Sequence, residues 1–256
     1  MRFSANLGFL WNDRPLLDAI RAAKAAGFDA VEMHWPYHVD PADIKSALVQ
    51  TGLPLLGINT ARGDVSAGEN GLSAIPGRES EARDLIDQAL AYAAETGALN
   101  VHVMAGFAHG VAAEVCFVQA LEYACAQAES RGIDILIEPL NHYDAPGYFL
   151  NTTTHAKELI ARVGASNLKL MFDCYHVQLM EGDLSHRLET LLPMIGHIQF
   201  ARVPDRGPPE GGEINYRYIF ERLDDLGWHS PLGAEYKSAL PTDETLGWMS
   251  DFKSKY

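Results

Sequence analysis

The feature that most constrains the fold is a regular alternation of short apolar runs with longer amphipathic segments. Such an alternation indicates repeated βα units, in which a helix covers the strand before it. Most of the runs are continuously apolar, which is typical of parallel strands buried on both faces. We predict eight strands: RFSANLGF, AVEMHW, LPLLGINT, NVHVMAG, DILIEPL, LKLMFDC, HIQFARV and LGAEYK.

Helical segments follow these runs and end at regular stop signals. They are PLLDAIRAAKAAGF, PADIKSALVQTG, ESEARDLIDQALAYAAETG, AEVCFVQALEYACAQAESRG, THAKELIARVG, LSHRLETLLPMIG, YRYIFERLDDLG and TDETLGWMSDFKSK. Glycines stand where a left-handed residue would end a helix, at Gly27, Gly52, Gly97, Gly132, Gly164, Gly196 and Gly227. Eight such units close a (β/α)8 TIM barrel, an α/β fold. No Pro/Gly/Ser-rich linker interrupts residues 1–256, so we predict a single domain.

Composition narrows the class of partner. The chain carries 34 acidic and 20 basic residues, a formal net charge of −14, which disfavours a nucleic-acid partner. No signal sequence and no apolar run long enough for a membrane span are found, so we expect a cytoplasmic protein that does not enter membranes. Cys116, Cys125 and Cys174 show no metal-ligand spacing and fit reduced thiols.

Polar residues occur where five of the predicted strands end. They are Asn59, Glu138, Asp173, Gln199 and Glu235, on strands three, five, six, seven and eight. Strand ends converge at the face of a barrel where active sites are built, so three carboxylates would repel one another unless a positive charge lies between them. Carboxylate and amide oxygens suit Mg²⁺ or Mn²⁺. Alternatively, each acid caps the following helix or pairs with an arginine.

Further residues near the strand ends have two interpretations each. His176 lies three residues after Asp173 and could reach a substrate oxygen, although lone histidines are often structural. Arg206, in the loop PDRGPPEGGE, could hold a substrate carboxylate or be a solvated loop arginine. Trp35, Pro36 and Tyr37 could line a pocket or a subunit contact, so assembly into a homo-oligomer stays open. No ligand role is assigned to His34, His102, His142 and His197.

Several longer segments resemble the hydroxypyruvate isomerase family, within the xylose isomerase-like barrels that include ketose 3-epimerases and an endonuclease branch. They are RFSANL, GDVSAGENGLSAIPGRESEARD, IEPLNHYDAPGYFL, FDCYHVQLMEGDL, GHIQFARVPDRGPPEGGEINY and AEYK, and the resemblance covers nearly the whole chain. It implies that Glu138, Asp173, Gln199 and Glu235 bind a divalent metal and that the two glutamates exchange a proton. It also implies that His176 and Arg206 contact the substrate.

The resemblance implies isomerisation of hydroxypyruvate to tartronate semialdehyde. This reaction removes a proton beside the carbonyl and returns it at the neighbouring carbon, through an ene-diolate that a metal stabilises. Glu138 and Glu235 reach the barrel centre from different directions and leave room for a small 2-oxo acid or sugar acid between them. The alternatives are a 2-oxo-tetronate isomerase or ketose 3-epimerase with the same site, an AP-endonuclease-like nuclease, and a non-catalytic sugar-binding relative.

Overall fold

The computed structural model describes residues 1–253, so the last three residues of the predicted domain, two of which belong to its last predicted helix, lie outside the described residues. Eight parallel strands alternate with helices, as predicted. The strands are β1 Phe3–Asn6, β2 Ala30–Glu32, β3 Gly57–Asn59, β4 Asn100–His102, β5 Asp134–Ile137, β6 Leu168–Asp173, β7 Ile195–Phe200 and β8 Leu232–Ala234. The helices are α1 Leu16–Ala25, α2 Pro41–Thr51, α3 Glu79–Thr96, α4 Gly110–Glu129, α5 Thr153–Val163, α6 Cys174–Met180, α7 Leu184–Leu191, α8 Tyr216–Asp225 and α9 Trp248–Lys253.

The strands form one barrel in the order β2-β1-β8-β7-β6-β5-β4-β3. Backbone hydrogen bonds join its two outermost strands, because Met33 N donates to Gly57 O at 3.0 Å and Leu56 N donates to Val31 O at 2.8 Å. The prediction of a single-domain TIM barrel is therefore confirmed. No helix within residues 1–253 is long and apolar enough to cross a bilayer.

Helix ends follow the sequence signals at most places. Asp40 caps α2, because its side chain accepts a hydrogen bond from Ala42 N. Gly52 ends that helix in the left-handed conformation, with φ of 67°. The other predicted stops also have positive φ, at Gly27, Gly97, Gly132, Gly164 and Gly227.

The prediction that Gly196 ends a helix is wrong. Helix α7 ends at Leu191, a 3-10 turn follows at Leu192–Met194, and Gly196 lies inside β7. The β6–β7 register shifts there, so that Leu170 pairs with Ile195 but Met171 pairs with His197. A Cβ on Gly196 would lie 2.7 Å from side-chain atoms of Leu136 on β5 and Lys169 on β6, so a bulge and tight packing explain the glycine.

Helix α6 was not predicted. It begins directly after β6, and Asp173 caps it by accepting a hydrogen bond from Tyr175 N at 2.8 Å. One turn of this helix carries His176 back over the end of the strand, within 3.6 Å of the Asp173 carboxylate. The short helix therefore positions a histidine at the mouth of the barrel.

Candidate active site

A cavity of about 300 Å³ lies at the carboxyl ends of the strands, at the small end of the usual range for small-molecule sites. Glu138, His176, Arg206 and Glu235 line it, and so does Asn59 at the end of β3. The residues predicted from strand ends and the following loops thus meet at one face of the barrel.

The predicted metal ligands are buried at this face. Glu138 directly follows β5, Asp173 is the last residue of β6, Gln199 lies in β7 and Glu235 directly follows β8. Each of these four residues has at most 5 % of its surface exposed to solvent. Ligand atoms of Glu138, Asp173, Glu235 and His176 all lie within 4.8 Å of one another, so the three carboxylates are close enough to hold one metal ion.

Arg206 forms a buried ion pair with Glu235. Its Nη2 donates a 2.5 Å hydrogen bond to Glu235 Oε2, and its Nη1 donates one of 3.0 Å to Asp144 Oδ2. Asp173 Oδ2 lies 3.7 Å from Nη2. Arg206 adopts a left-handed backbone, with φ of 56°, and its carbonyl accepts a hydrogen bond from Lys237 N. The arginine therefore supplies part of the positive charge that the cluster of acids requires.

Glu138 lacks such a partner within residues 1–253. His102 and His176 have nitrogens 3.7 and 3.8 Å from its carboxylate, but burial lowers the pKa of both rings, to about 3 for His102. Burial, followed by the carboxylates of Glu235 and Asp173, raises the pKa of Glu138 well above its usual value. Burial and Glu235 also raise the pKa of Asp173 to about 7. Two of the carboxyl groups therefore resist ionisation while no cation is bound.

Glu235 behaves in the opposite way. Burial acts to raise its pKa, but Arg206 and then the hydrogen bond from His34 outweigh burial and lower the pKa below the usual range. His34 Nε2 lies 2.9 Å from Glu235 Oε1, and Asn6 Nδ2 donates to the same oxygen at 2.9 Å. The two glutamates of the site are therefore pushed toward different protonation states.

The hydrogen bonds of His176 fix its tautomer. Asn141 N donates to His176 Nδ1 at 3.0 Å, so Nδ1 is an acceptor and carries no proton. Burial, and then Arg206, lower the pKa of His176 well below its usual value, so the ring is neutral and its proton is on Nε2. A protonated Nε2 is a donor and cannot bind a metal. This geometry favours a contact with a substrate oxygen over a place among the ligands.

Unpartnered oxygens show that the site fits a cation. Glu138 Oε1, Asp173 Oδ2 and Gln199 Oε1 are buried, and none has a hydrogen-bond partner in the part of the chain that the structure describes. Buried polar atoms normally have a partner, so these three call for a ligand. Together with Glu235 they form an all-oxygen set, which suits a hard divalent cation.

A second group of buried polar residues, which the sequence analysis missed, lies beside these ligands. Glu32, at the end of β2, accepts a hydrogen bond from Gln199 Nε2 at 2.8 Å, and His197 Nε2 lies 2.9 Å from the same oxygen. Burial raises the pKa of Glu32, but His197 outweighs it and lowers the pKa overall. A carboxylate that interrupts the apolar run AVEMHW is the same signal that identified Glu138 in ILIEPL.

Comparisons with known proteins agree with this architecture. A family model described as xylose isomerase-like TIM barrel matches residues 20–252. A 2-oxo-tetronate isomerase from Cupriavidus necator is 42% identical over 98% of both chains. A hydroxypyruvate isomerase from Escherichia coli is 38% identical over 99% of this chain and all of its own. A crystal structure titled AP endonuclease, family 2, from Brucella melitensis has a TM-score of 0.94 and 38% identity, over 98% of both chains.

Proposed function

The chain belongs to the xylose isomerase-like TIM barrel family as one of its isomerases, and we propose that its substrate is hydroxypyruvate. The product would be tartronate semialdehyde, in which the carbonyl has moved by one carbon. One observation carries this proposal: two buried glutamates, directly after β5 and β8, face one small cavity with their pKa values shifted in opposite directions. Pairs of this kind are typical of proton-transfer sites.

Glu138 and Glu235 would move the proton. The reaction takes a hydrogen from C3 of hydroxypyruvate and returns one to C2, so a carboxylate is needed within reach of each carbon. The ligand atoms of the two glutamates lie within 4.8 Å of each other, a separation that a substrate of three carbons can bridge. Burial keeps water away from the transferred proton.

Glu138, Asp173, Gln199 and Glu235 would hold one divalent cation, Mg²⁺ or Mn²⁺. The three unpartnered oxygens and the ionised Glu235 support this set. Such a cation would polarise the carbonyl group and offset the negative charge that develops as the proton leaves. The Nε2 proton of His176 would donate to a substrate oxygen, and the buried, unpartnered Nε of Arg206 offers a second donor.

A second candidate substrate is 2-oxo-tetronate, because the relative from Cupriavidus necator carries that name at 42% identity. The same residues could move its carbonyl, since both substrates have a carbonyl at C2 beside a C3 that bears a hydroxyl group and the transferred hydrogen; C3 of 2-oxo-tetronate carries a hydroxymethyl group in addition. DNA cleavage at abasic sites is disfavoured by the net charge of −14, because a phosphate backbone would meet an acidic surface. We propose a small-molecule substrate and no nucleic acid. We also propose a cytoplasmic location, because the three cysteines are buried and form no disulfide, as expected in a reducing compartment.

The test is turnover by the Mg²⁺- or Mn²⁺-loaded protein of hydroxypyruvate, 2-oxo-tetronate and D-fructose, followed by NMR. We expect hydroxypyruvate to react, and preferential reaction of 2-oxo-tetronate would favour the second candidate. Reaction of the ketose alone would contradict both acid substrates. Cleavage of an oligonucleotide that contains one abasic site would contradict the proposal that the protein has no nucleic-acid substrate.

A further inference from the structure

The charges around the cavity do not match the role first expected for Arg206. Six charged residues line the cavity: Arg62, Glu138, Asp144, Arg206, Glu235 and Lys237. Arg206 lies among the acids and makes ion pairs with Asp144, Asp173 and Glu235. Its charge is therefore already balanced by residues of the chain itself, and a substrate carboxylate needs a different positive group.

Two of the cations that line the cavity, Arg62 and Lys237, have no carboxylate partner among residues 1–253. The ion pairs that cavity residues make there all involve Arg206 or a histidine. Arg62 follows β3 and Lys237 follows β8, so the two approach the cavity from loops on strands that flank β1 and β2. Arg62 is partly exposed and Lys237 is exposed. Both cations are therefore free to meet an anion that enters from solvent.

Aromatic rings hold both side chains beside the cavity. The Arg62 guanidinium lies 3.9 Å from the Trp35 ring centroid, and the Lys237 ammonium lies 5.0 Å from that of Phe9. The ring of His34 packs between Phe9 and Trp35, with centroids 4.9 Å from each. His34 also contacts Glu235 at 2.9 Å. A continuous row of packed rings, Phe9, His34 and Trp35, thus links Arg62 and Lys237 to Glu235, a proposed proton-transfer residue.

The backbone around Arg62 is held in place. Gly71 N donates to Arg62 O at 2.9 Å, which closes the loop after β3. Glu69 accepts a hydrogen bond from Asp64 N at 2.6 Å and pairs with Arg78 at 2.6 Å. Gly63 has φ of 88°, a left-handed conformation that favours glycine. Arg62 therefore lies in a loop that internal hydrogen bonds hold in one conformation. This order lowers the entropy cost of binding an anion to Arg62.

We propose that Arg62 and Lys237 form an anion-binding subsite at the rim of the cavity that takes the carboxylate of the substrate. This inference rests on the proposed function and adds a substrate class to it, namely acids with a hydroxy-carbonyl pair beside the carboxylate. The oxygens of that pair would face the buried acids and His176, while the carboxylate would face the rim. The six charged lining residues carry three positive and three negative charges, so one divalent cation held by the acids would make the site positive even with Asp173 counted, which complements an anion.

Binding of two probes that differ in charge to the Mn²⁺-loaded protein tests the subsite independently of hydroxypyruvate turnover. Tartronate carries carboxylates, whereas dihydroxyacetone offers a neutral hydroxy-carbonyl pair of similar size. By calorimetry, Arg62→Gln and Lys237→Gln should each weaken tartronate about tenfold to a hundredfold, the usual value of a hydrogen bond to a charged group. Dihydroxyacetone and Mn²⁺ itself should bind within twofold of the wild type. Arg62→Lys should recover part of the loss.

Two substitutions at exposed sites serve as controls. Arg21→Gln and Lys45→Gln remove the same charges from helices α1 and α2, outside the cavity lining, and should leave tartronate binding unchanged. The subsite is overturned if the wild type does not bind tartronate, if both rim variants bind it as the wild type does, or if both probes weaken equally. If the protein does not turn over hydroxypyruvate but its binding of tartronate still depends on Arg62, the proposed substrate is rejected and the subsite is supported.

Discussion

The side-chain amide nitrogen of Gln199 donates a 2.8 Å hydrogen bond to the carboxylate of Glu32. Because an ionised carboxylate only accepts hydrogen bonds, this contact turns the nitrogen toward Glu32 and leaves the amide oxygen, Oε1, buried without a protein partner in the described chain. Glu32 therefore orients a proposed metal ligand that is neutral and could otherwise flip.

Replacing Glu32 with Gln should lower the affinity for Mn²⁺ about tenfold to a hundredfold, because residues that orient metal ligands typically have effects of this size. The amide at position 32 can donate as well as accept, so Gln199 loses its fixed orientation. Calorimetric titration of the metal-free protein measures the change. Glu129→Gln, at an exposed position on α4, is the matched control. Equal affinities for all three proteins would contradict the role of Glu32.

The two glutamates should differ in their effect on stability. Glu138→Gln should raise the Tm of the metal-free protein at neutral pH, because it removes a carboxyl group that burial and two neighbouring carboxylates disfavour as an anion. Glu235→Gln should lower the stability by about 3 kcal/mol, because it breaks a buried ion pair with Arg206. Thermal unfolding with chelator present compares them. Shifts of the same sign would show that the pKa directions are wrong.

Stabilisation by metal should increase with pH. The folded-state pKa of Asp173 is about 7 against an ordinary value of 3.8, so the folded metal-free protein binds the proton more tightly than the unfolded chain. Its contribution to stability is full below pH 3.8 and is lost as pH rises through 7. A divalent cation competes with that proton, so the gain in Tm from Mg²⁺ should be small at pH 5 and large at pH 8. Asp173→Asn should make the Mg²⁺-induced gain in Tm depend less on pH. The same pH dependence in the variant and the wild type would contradict this role of Asp173.

His176→Phe should separate substrate contact from metal binding. The ring of phenylalanine keeps the volume but removes the Nε2 donor, so kcat/KM should fall about a hundredfold, within the range for positioned proton donors. Because Nδ1 accepts a backbone hydrogen bond and Nε2 holds the proton, affinity for Mn²⁺ should stay within threefold. Steady-state kinetics and calorimetry give the two values. Loss of metal binding would place His176 among the ligands.

The barrel and the convergence of the acids could be predicted because both depend on local signals. Strand and helix periodicities are local, and parallel strands of a barrel necessarily end at one face. Glu138 and Glu235 follow directly from that geometry. Glu32 was missed although it carries the same signal, because no proline follows it to mark a strand end as Pro139 does for Glu138.

The remaining features depend on tertiary contacts that sequence patterns do not report. Gly196 looked like a helix stop, but its role is set by side chains of neighbouring strands. The pairing of Arg206 with Asp144 and Glu235 depends on how the loop after β7 folds back over the cavity. The same holds for Arg62, whose position depends on Gly71 and Trp35.

Exchange of the C3 hydrogens of hydroxypyruvate in D₂O tests most directly whether Glu138 and Glu235 move the proton at one metal site. With saturating Mg²⁺, the wild type should exchange these hydrogens and form product with deuterium at C2, as followed by ¹H NMR. Glu138→Gln and Glu235→Gln should each form the product with deuterium at C2 only at the background rate while remaining folded by circular dichroism. Formation of that product at the wild-type rate in either variant would contradict the account.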